Sequence, residues 1–309
     1  MSVATATPDR LAHAGVTAHG EGLVTLTGPA LALERDLDRA FLALAARWSA
    51  EEEAHPPLIE ADVLGRLDYF SSFPHLVTFP MELDPAEANI DAFRAGDPLD
   101  EASGTVRLTR LAPARHVLPP AACYHVYAHH EDEQIVAAPR FVTTRNTCFR
   151  REAAYQPLRR QWGFSMREVV CLGDRDEVVA FLEEARELVS ALCRALELSV
   201  GWDTATDPFF RPSTNPRYLM QRIEPVKHEA RTDDGLAIAS VNLHHDHFGT
   251  LFGIRRADRP AVTGCLAFGI ERWIYALVDR HGPDPRRWPD VATTAAAVTG
   301  GGRVRKARP

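Results

Sequence analysis

The sequence lacks the features that mark secreted or membrane-embedded proteins. It has only 5 cysteines in 309 residues, an odd and scattered set that argues against a disulfide framework. No apolar run is long enough to cross a bilayer, and residues 1–20 lack the basic start and apolar stretch of a secretory signal. We therefore expect a cytoplasmic protein with no membrane partner.

An excess of positive charge is also missing. The 35 lysines and arginines are outnumbered by 42 aspartates and glutamates, which gives a net charge of −7 at pH 7. A broad nucleic-acid footprint normally needs clustered lysine and arginine. The composition therefore argues against a protein that holds nucleic acid over a wide surface, while its hydrophobic fraction of 45% is ordinary for a globular chain.

The predicted elements follow one another without regular β–α alternation. The hydrophobic patterns predict helices at 33–48, 174–195 and 268–280, and strands at 121–128, 141–149, 164–172, 222–230 and 236–243. This order favours an α+β fold with a mostly antiparallel sheet.

The domain organisation predicted from these patterns is simple. Residues 1–24 are small and polar and are expected to be flexible. Residues 25–290 are expected to form a single domain, with an inserted helical segment at about 174–216. The basic stretch at 291–309 is expected to be a flexible tail.

A first candidate site spans a strand end and the start of the next strand. Arg150 and Glu152 lie two residues apart, so their side chains share a face of a strand. Arginine suits bidentate phosphate binding, and a carboxylate can accept a hydrogen bond from an adenine amine. Phe164 offers a flat apolar surface for a base. The spacing alone favours a surface salt bridge beside a core aromatic residue, so nucleotide binding is a hypothesis here.

A second candidate site is the run Gly269–Trp273, which enters an apolar helix. Glycine permits close approach of a ligand to the backbone, and Arg272 in the first helical turn would favour an anion such as a terminal phosphate. An ordinary helix start with a Glu–Arg pair explains the same residues.

A metal site is the third hypothesis. Glu168 lies on an apolar face of its strand. Burying an unpaired carboxylate there is unfavourable in free energy, so a positively charged partner is expected. Cys123 and Cys265 are candidate co-ligands, because two thiolates and a carboxylate suit zinc and leave a fourth position open. The run His244–His247 is a rival metal site, although the pattern favours a polar loop that lines a cleft.

Taken together, these residues resemble the signatures of class II aminoacyl-tRNA synthetases. The run Phe149–Glu152 with Phe164 looks like motif 2, and Gly264–Arg272 looks like motif 3, although Ala267 replaces a common glycine. The chain more closely resembles the amino acid–carrier protein ligases, which are homologues of the atypical archaeal seryl-tRNA synthetases. The stretches that carry this resemblance, within about residues 25 to 280, are Asp68–Val77, Cys123-Tyr124, Arg167–Val170, His244–Gly249 and Gly264-Cys265.

The resemblance implies a class II synthetase-like antiparallel sheet flanked by helices, and it implies roles at an ATP site. Arg150 would hold the α-phosphate and Arg272 the γ-phosphate, so both are expected to be catalytic. Glu152 would bind the adenine amine and Phe164 would cover the adenine face. Mg²⁺ is expected to accompany ATP, which is a substrate.

The resemblance also implies an amino-acid site. Cys123, Glu168 and Cys265 match the zinc ligands of the family, and the open zinc position would take the substrate α-amine. Three further residues are carried over as amino-acid-site residues: Lys227, Glu229 and Asn242.

The implied function is a ligase that forms an aminoacyl adenylate from ATP and a small amino acid such as glycine or alanine. The aminoacyl group would pass to the phosphopantetheine thiol of a carrier protein. A homodimer is expected. tRNA is not expected as a partner, because the net charge is acidic and the segment before the core is too short for a tRNA-binding domain. Two alternatives remain: a small-molecule or peptide acceptor, and a synthetase paralogue without catalysis.

Overall fold

The computed structural model describes residues 8–214 and 216–300. Its helices are α1 Pro8–His13, α2 Gly28–Ala45, α3 Ala61–Arg66, α4 Tyr69–Ser72, α5 Glu87–Ala95, α6 Cys123–His129, α7 Arg175–Ala195, α8 Pro216–Ile223, α9 His247–Leu251, α10 Ile270–His281 and α11 Val291–Gly300. Its strands are β1 Val16–His19, β2 Leu23–Leu26, β3 Glu51–Glu53, β4 Ile59–Glu60, β5 Leu99–Asp100, β6 Thr105–Val106, β7 His116–Val117, β8 Gln134–Ile135, β9 Arg140–Phe149, β10 Gly163–Gly173, β11 Val200–Thr204, β12 Lys227–Thr232, β13 Ala237–His245, β14 Arg255–Arg256, β15 Arg259–Pro260 and β16 Val262–Gly269.

A seven-stranded sheet organises the molecule, with the strand order β11-β12-β13-β16-β10-β9-β3. Its neighbouring strands pair antiparallel, except that the short edge strand β3 runs parallel to β9. The predicted α+β fold with a mostly antiparallel sheet is confirmed. None of the helices in the described ranges has the length and hydrophobicity needed to span a bilayer.

The two faces of the sheet bury two separate apolar clusters. Val169 of β10 belongs to one cluster and its neighbour Val170 to the other, because successive strand residues point to opposite faces. Helices α2, α7, α10 and α11 cover the first face, where Phe41 of α2 stacks on Phe268 of β16 at 4.0 Å between ring centroids. Helix α6 packs on the second face, which is also the face of Cys265.

Helix α7 begins as its sequence predicts. The Asp174 side chain accepts a hydrogen bond from the Glu177 backbone, and the Glu177 side chain accepts one from the Asp174 backbone. This reciprocal cap satisfies two backbone donors that the first helical turn leaves free. Helix α7 then packs on the main sheet, and β11 forms one edge of that sheet. Within the predicted helical segment at about 174–216, residues 174–204 therefore pack as part of the domain body.

The strand predicted at 121–128 is wrong, because residues 123–128 belong to α6. Cys123, Val126 and Tyr127 are buried at positions i, i+3 and i+4, which is a helical stripe. A short apolar run matches both the helical and the strand period, so periodicity alone does not separate them. The strand predicted at 222–230 likewise begins only at Lys227, since α8 occupies its first part.

The predicted flexible ends are also corrected where the structure describes them. Helix α1 and the β1–β2 hairpin fill residues 8–26, and Leu11 and Val16 are buried in the first cluster. Helix α11 packs against α2 and buries Val291 and Ala295. The parts of both predictions that concern residues 1–7 and 301–309 lie outside the described residues.

Replacing Arg167 with methionine is expected to lower the free energy of unfolding by about 3 kcal/mol. Arg167 is 3% exposed; it donates two hydrogen bonds to Asp38, at 2.7 and 3.0 Å, and one to Glu52 at 2.8 Å. Burial alone raises the pKa of Asp38, but Arg167 and Arg145 hold this pKa below its ordinary value. The substitution therefore leaves a carboxylate poorly paired. Urea unfolding measures the effect.

The matched control is the exposed ion pair of Arg39 with Asp36, whose arginine side chain is 66% exposed. Arg39→Met is expected to change the free energy of unfolding by less than about 1 kcal/mol. Equal effects of the two substitutions would show that the Arg167 contacts do not stabilise the packing of α2 on the sheet.

Candidate active site

Strand register brings the predicted site residues to one face of the sheet. Val170 of β10 pairs with Cys265 of β16, Cys265 with Asn242 of β13, and Asn242 with Lys227 of β12. A second row, two residues along each strand, contains Glu168, Ala267, Ser240 and Glu229. Because the side-chain period of a strand is two, both rows face the same side.

A cavity of about 560 Å³ opens over these rows. All ten residues predicted for the site line it: Cys123, Arg150, Glu152, Phe164, Glu168, Lys227, Glu229, Asn242, Cys265 and Arg272. Residues from two helices, four strands and the loop after β9 therefore meet in one space.

The three predicted metal ligands lie together at the floor of the cavity. The sulfur atoms of Cys123 and Cys265 and a carboxylate oxygen of Glu168 all lie within 4.8 Å of one another, and the three residues are at most 5% exposed. The backbone N–H groups of Ala122 and Cys123 donate to Glu168 Oε1 at 2.9 and 3.4 Å and so orient the carboxylate. Helix α6 thus supplies one ligand and also positions another.

The chemistry of this group fits zinc. Two thiolates and one carboxylate form a donor set typical of zinc with an open fourth position. The neighbouring Cys265 sulfur and then burial raise the pKa of the Cys123 thiol well above its ordinary value. Ionising the Cys123 thiol at this place therefore requires a cation beside it. Asn242 Nδ2 donates to the Cys265 sulfur at 3.3 Å, which fixes the orientation of this side chain.

The two predicted phosphate ligands, Arg150 and Arg272, have half-buried guanidinium groups. Their hydrogen bonds go to neutral groups, which do not balance the positive charge. Arg272 donates to the carbonyl oxygens of Arg159 and Ala237 at 2.9 and 3.0 Å, and Arg150 donates to that of Pro120 at 2.9 Å. Within residues 8–214 and 216–300, neither forms an ion pair with a carboxylate. Burial and then the charge of Arg150 lower the pKa of Arg272 to about 10. Two neighbouring cations without an acidic partner are suited to a polyanion.

The remaining predicted nucleotide residues lie beside Arg150. Its guanidinium lies 5.2 Å from the centroid of the Phe164 ring. Glu152 lines the same cavity, and its Oε2 lies 3.8 Å from Arg160. The cavity thus has an aromatic and cationic end and, across the sheet, the cysteine–carboxylate group.

Asp207 is a cavity residue that the sequence analysis missed. It follows edge strand β11 in a turn-rich segment whose residues show no periodicity. Lys227 Nζ lies 2.8 Å from Asp207 Oδ1, and Gln221 donates to Oδ2 at 2.9 Å. Burial raises the pKa of Asp207, but Lys227 and Gln221 overcome this effect and lower it to about 2. Lys227 also lies 3.8 Å from Glu229, so one lysine holds two carboxylates at this end.

Glu271 is another residue that the sequence analysis did not single out as a ligand. Both carboxylate oxygens accept a hydrogen bond from the Ser165 backbone, at 2.8 and 2.9 Å. Burial raises the pKa of Glu271 to about 7. The contact fixes the start of α10, and therefore Arg272, against the start of β10.

His244, His245 and His247 line the cavity, as the sequence analysis expected of a cleft. His244 and His245 end β13 and His247 begins α9, so the interpretation of this run as a loop is wrong. His244 Nδ1 lies 3.2 Å from both Tyr127 Oη and Thr263 Oγ1, and its Nε2 lies 3.8 Å from the Cys265 sulfur. Burial lowers the pKa of His244 to about 3, so the ring is neutral. In the described part of the chain, these histidines form no ligand group of their own; His244 instead contacts the cysteine–carboxylate group.

Comparison with known proteins gives relatives in two groups. Amino acid–acyl-carrier-protein ligase 1 of Bradyrhizobium diazoefficiens is 36% identical over 242 residues, which is 76% of this chain and 72% of that protein. The type-2 serine–tRNA ligase of Methanopyrus kandleri is 26% identical over 295 residues, or 88% of this chain and 56% of that protein. No protein-family profile matches the chain.

Among solved structures, the M. kandleri SerRS in complex with A. aeolicus tRNASec is similar with a TM-score of 0.78. At 21% identity, the match covers 95% of this chain and 60% of that chain, and it confirms the synthetase-like fold. The 36% sequence identity to the B. diazoefficiens ligase also assigns the chain to a family. The chain belongs to the amino acid–acyl-carrier-protein ligase family.

Proposed function

We propose that this protein uses ATP to activate a small amino acid, of the glycine or alanine type, and passes it to the phosphopantetheine thiol of a carrier protein. The observation that carries this proposal is the common cavity of two guanidiniums, which form no ion pair within the described ranges, and a cysteine–carboxylate group. One end suits a polyphosphate and the other suits a metal that binds an amine. The names of the B. diazoefficiens relatives support a carrier protein as the acceptor.

The ATP end of the proposal uses four residues. ATP enters as its magnesium complex. Arg150 binds the α-phosphate and Arg272 the γ-phosphate, because each guanidinium donates to backbone carbonyls and has no acidic partner among the residues that the structure describes. Phe164 covers the adenine face, and Glu152 accepts a hydrogen bond from the adenine amine.

The amino-acid end of the proposal uses the cysteine–carboxylate group. Cys123, Glu168 and Cys265 would hold zinc, which supplies a Lewis acid for the substrate α-amine. Lys227, Glu229 and Asn242 line the cavity around it.

A small side chain is proposed for the substrate because bulky rings surround the cysteine–carboxylate group. Tyr124, His244 and Phe248 line this part of the cavity, with Phe248 4.8 Å from His244 and 6.0 Å from Tyr124 between ring centroids. These rings leave little space for a long substrate side chain.

The proposed reaction needs no nucleophile from the protein. A carboxylate oxygen of the amino acid attacks the α-phosphorus, and the bond to the bridging oxygen breaks, so that pyrophosphate leaves. Arg150 and Arg272 stabilise the charge that develops on the phosphates. The carrier thiolate then attacks the carbonyl carbon of the adenylate, and AMP leaves as the thioester forms.

We propose that the chain works as a homodimer, as the class II resemblance implies, and that the proposed catalytic domain of residues 25–290 acts as one unit with the neighbouring segments that pack on it. tRNA is not proposed as the acceptor.

Incubation of the protein with ATP, glycine or alanine and a phosphopantetheinylated carrier is expected to add one aminoacyl mass to the carrier. Mass spectrometry of the intact carrier measures it, and hydroxylamine should remove the label because a thioester is cleaved easily. The same carrier without phosphopantetheine is the control and should stay unmodified. Two results would contradict the proposal: aminoacylation of tRNA while the carrier stays unmodified, and labelling of a small molecule or peptide while the carrier stays unmodified.

A further inference from the structure

A second group of potential metal ligands lies outside the cavity, where β3 ends beside the end of α6. Ligand atoms of Glu53, His129 and His130 all lie within 4.8 Å of one another. His55 adjoins them, and these four residues are called the histidine–carboxylate cluster. None of them lines the candidate active site.

One carboxylate joins two imidazoles at the centre of this cluster. Glu53 Oε1 lies 2.7 Å from His130 Nε2, and Glu53 Oε2 lies 3.0 Å from His55 Nε2. The second pair is close but not aligned as a hydrogen bond, and neither atom has another hydrogen-bond partner in the described part of the chain. Both atoms are buried. Such unsatisfied buried atoms are rare in folded proteins and indicate a bound water or ion.

A third unsatisfied atom lies next to the cluster. His125 is 8% exposed and its Nε2 has no hydrogen-bond partner among residues 8–214 and 216–300. Its ring is stacked on His55, with centroids 5.4 Å apart. Several imidazoles therefore crowd around one carboxylate, which is the donor set that zinc, nickel and copper prefer in proteins.

The orientation of His130 fits a metal ligand. Its Nδ1 is hydrogen-bonded to Glu133, and Glu133 accepts a second hydrogen bond, at 2.7 Å, from Arg140 Nε. With Nδ1 held in this way, Nε2 faces Glu53 inside the cluster. A carboxylate on the far nitrogen is the usual partner of a metal-bound histidine, because it fixes the tautomer and the ring orientation.

We propose that Glu53, His129 and His130 bind a divalent first-row transition metal, with His55 beside the same carboxylate. Two ligands of a tetrahedral zinc lie about 3.3 Å apart, so Glu53 and His130, at 2.7 Å, need to separate by only about 0.6 Å. His129 is exposed, which provides a route for the ion.

A metal at this cluster would connect the edge strand β3 to helix α6. Glu53 ends edge strand β3, and His129 ends the helix whose first residue is Cys123. A metal at the cluster would therefore stabilise the helix that carries a ligand of the cysteine–carboxylate group.

Cobalt titration of the metal-free full-length protein tests the proposal. Wild type is expected to bind two equivalents, of which one shows a thiolate-to-cobalt charge-transfer band and the other does not. Cys123→Ala is expected to lose the band and keep the second equivalent. His129→Ala is expected to keep the band and lose the second equivalent, and circular dichroism checks that both variants are folded.

Two further variants make the test specific. Glu133→Gln is expected to weaken the second equivalent by about 10- to 100-fold through the orientation of His130. His13→Ala, which removes an exposed histidine on α1, should change neither equivalent. Binding of a single equivalent that Cys123→Ala abolishes would overturn the proposal. A second equivalent with unchanged affinity in His129→Ala, or one that His13→Ala weakens equally, would overturn it too.

Discussion

Arg272→Ala is expected to lower amino-acid-dependent ATP–pyrophosphate exchange by about 10³-fold, which corresponds to about 4 kcal/mol of transition-state stabilisation. Burial and the charge of Arg150 lower the pKa of Arg272 to about 10, so the folded protein destabilises the charged form of this side chain. In the proposed reaction the phosphates supply the missing negative charge. The loss should appear in the rate constant and in the KM for ATP, with little change in the KM for the amino acid.

Arg280→Ala is the matched control for this substitution. Arg280 lies on the same helix, its side chain is 55% exposed, and it donates to the Glu197 backbone outside the cavity. Its removal is expected to leave the exchange rate unchanged. If Arg272→Ala kept more than about a tenth of the wild-type rate, phosphate binding by this side chain would be refuted.

Cys265→Ala is expected to remove one equivalent of metal and to lower the exchange rate by at least about 100-fold. Its sulfur belongs to the buried group with Cys123 and Glu168, and a carboxylate with one remaining thiolate is a much weaker zinc site. Elemental analysis and the exchange assay on the same sample measure both effects. The KM for the amino acid should rise in any residual activity, since the α-amine loses its partner.

Cys193→Ala is the control for loss of a buried cysteine. Cys193 lies on the buried face of α7 in the first apolar cluster, and burial raises the pKa of its thiol to about 12. The variant is expected to keep its metal and its activity. Full activity in metal-free Cys265→Ala would contradict the proposed amine site.

The long elements could be predicted from the sequence because their patterns extend over several turns or alternations. Helix α7 shows a capping pair and a continuous apolar face, and β9 and β10 are strand-like runs of 10 and 11 residues. Helix α6 could not be assigned, since its short apolar run matches both periods. Helix α11 has small, weakly polar residues without a strong amphipathic pattern, and only packing against α2 reveals its role.

The candidate site depends on sheet register, which spacing along the chain does not contain. Cys123, Glu168 and Cys265 are distant in sequence, so spacing made them weak candidates, and the family resemblance singled them out. Asp207 follows an edge strand in a loop and had no pattern to mark it. The histidine–carboxylate cluster joins two separate segments, and the adjacent pair His129-His130 was its only signal in the sequence.

ATP–pyrophosphate exchange by the zinc-loaded protein, measured with each of the protein amino acids, tests most directly whether this cavity activates an amino acid. The expected result is exchange with glycine, alanine or a similarly small amino acid, lost after chelation of the metal and restored by zinc. Folded, zinc-loaded protein that supports no exchange with any amino acid would contradict the proposed function.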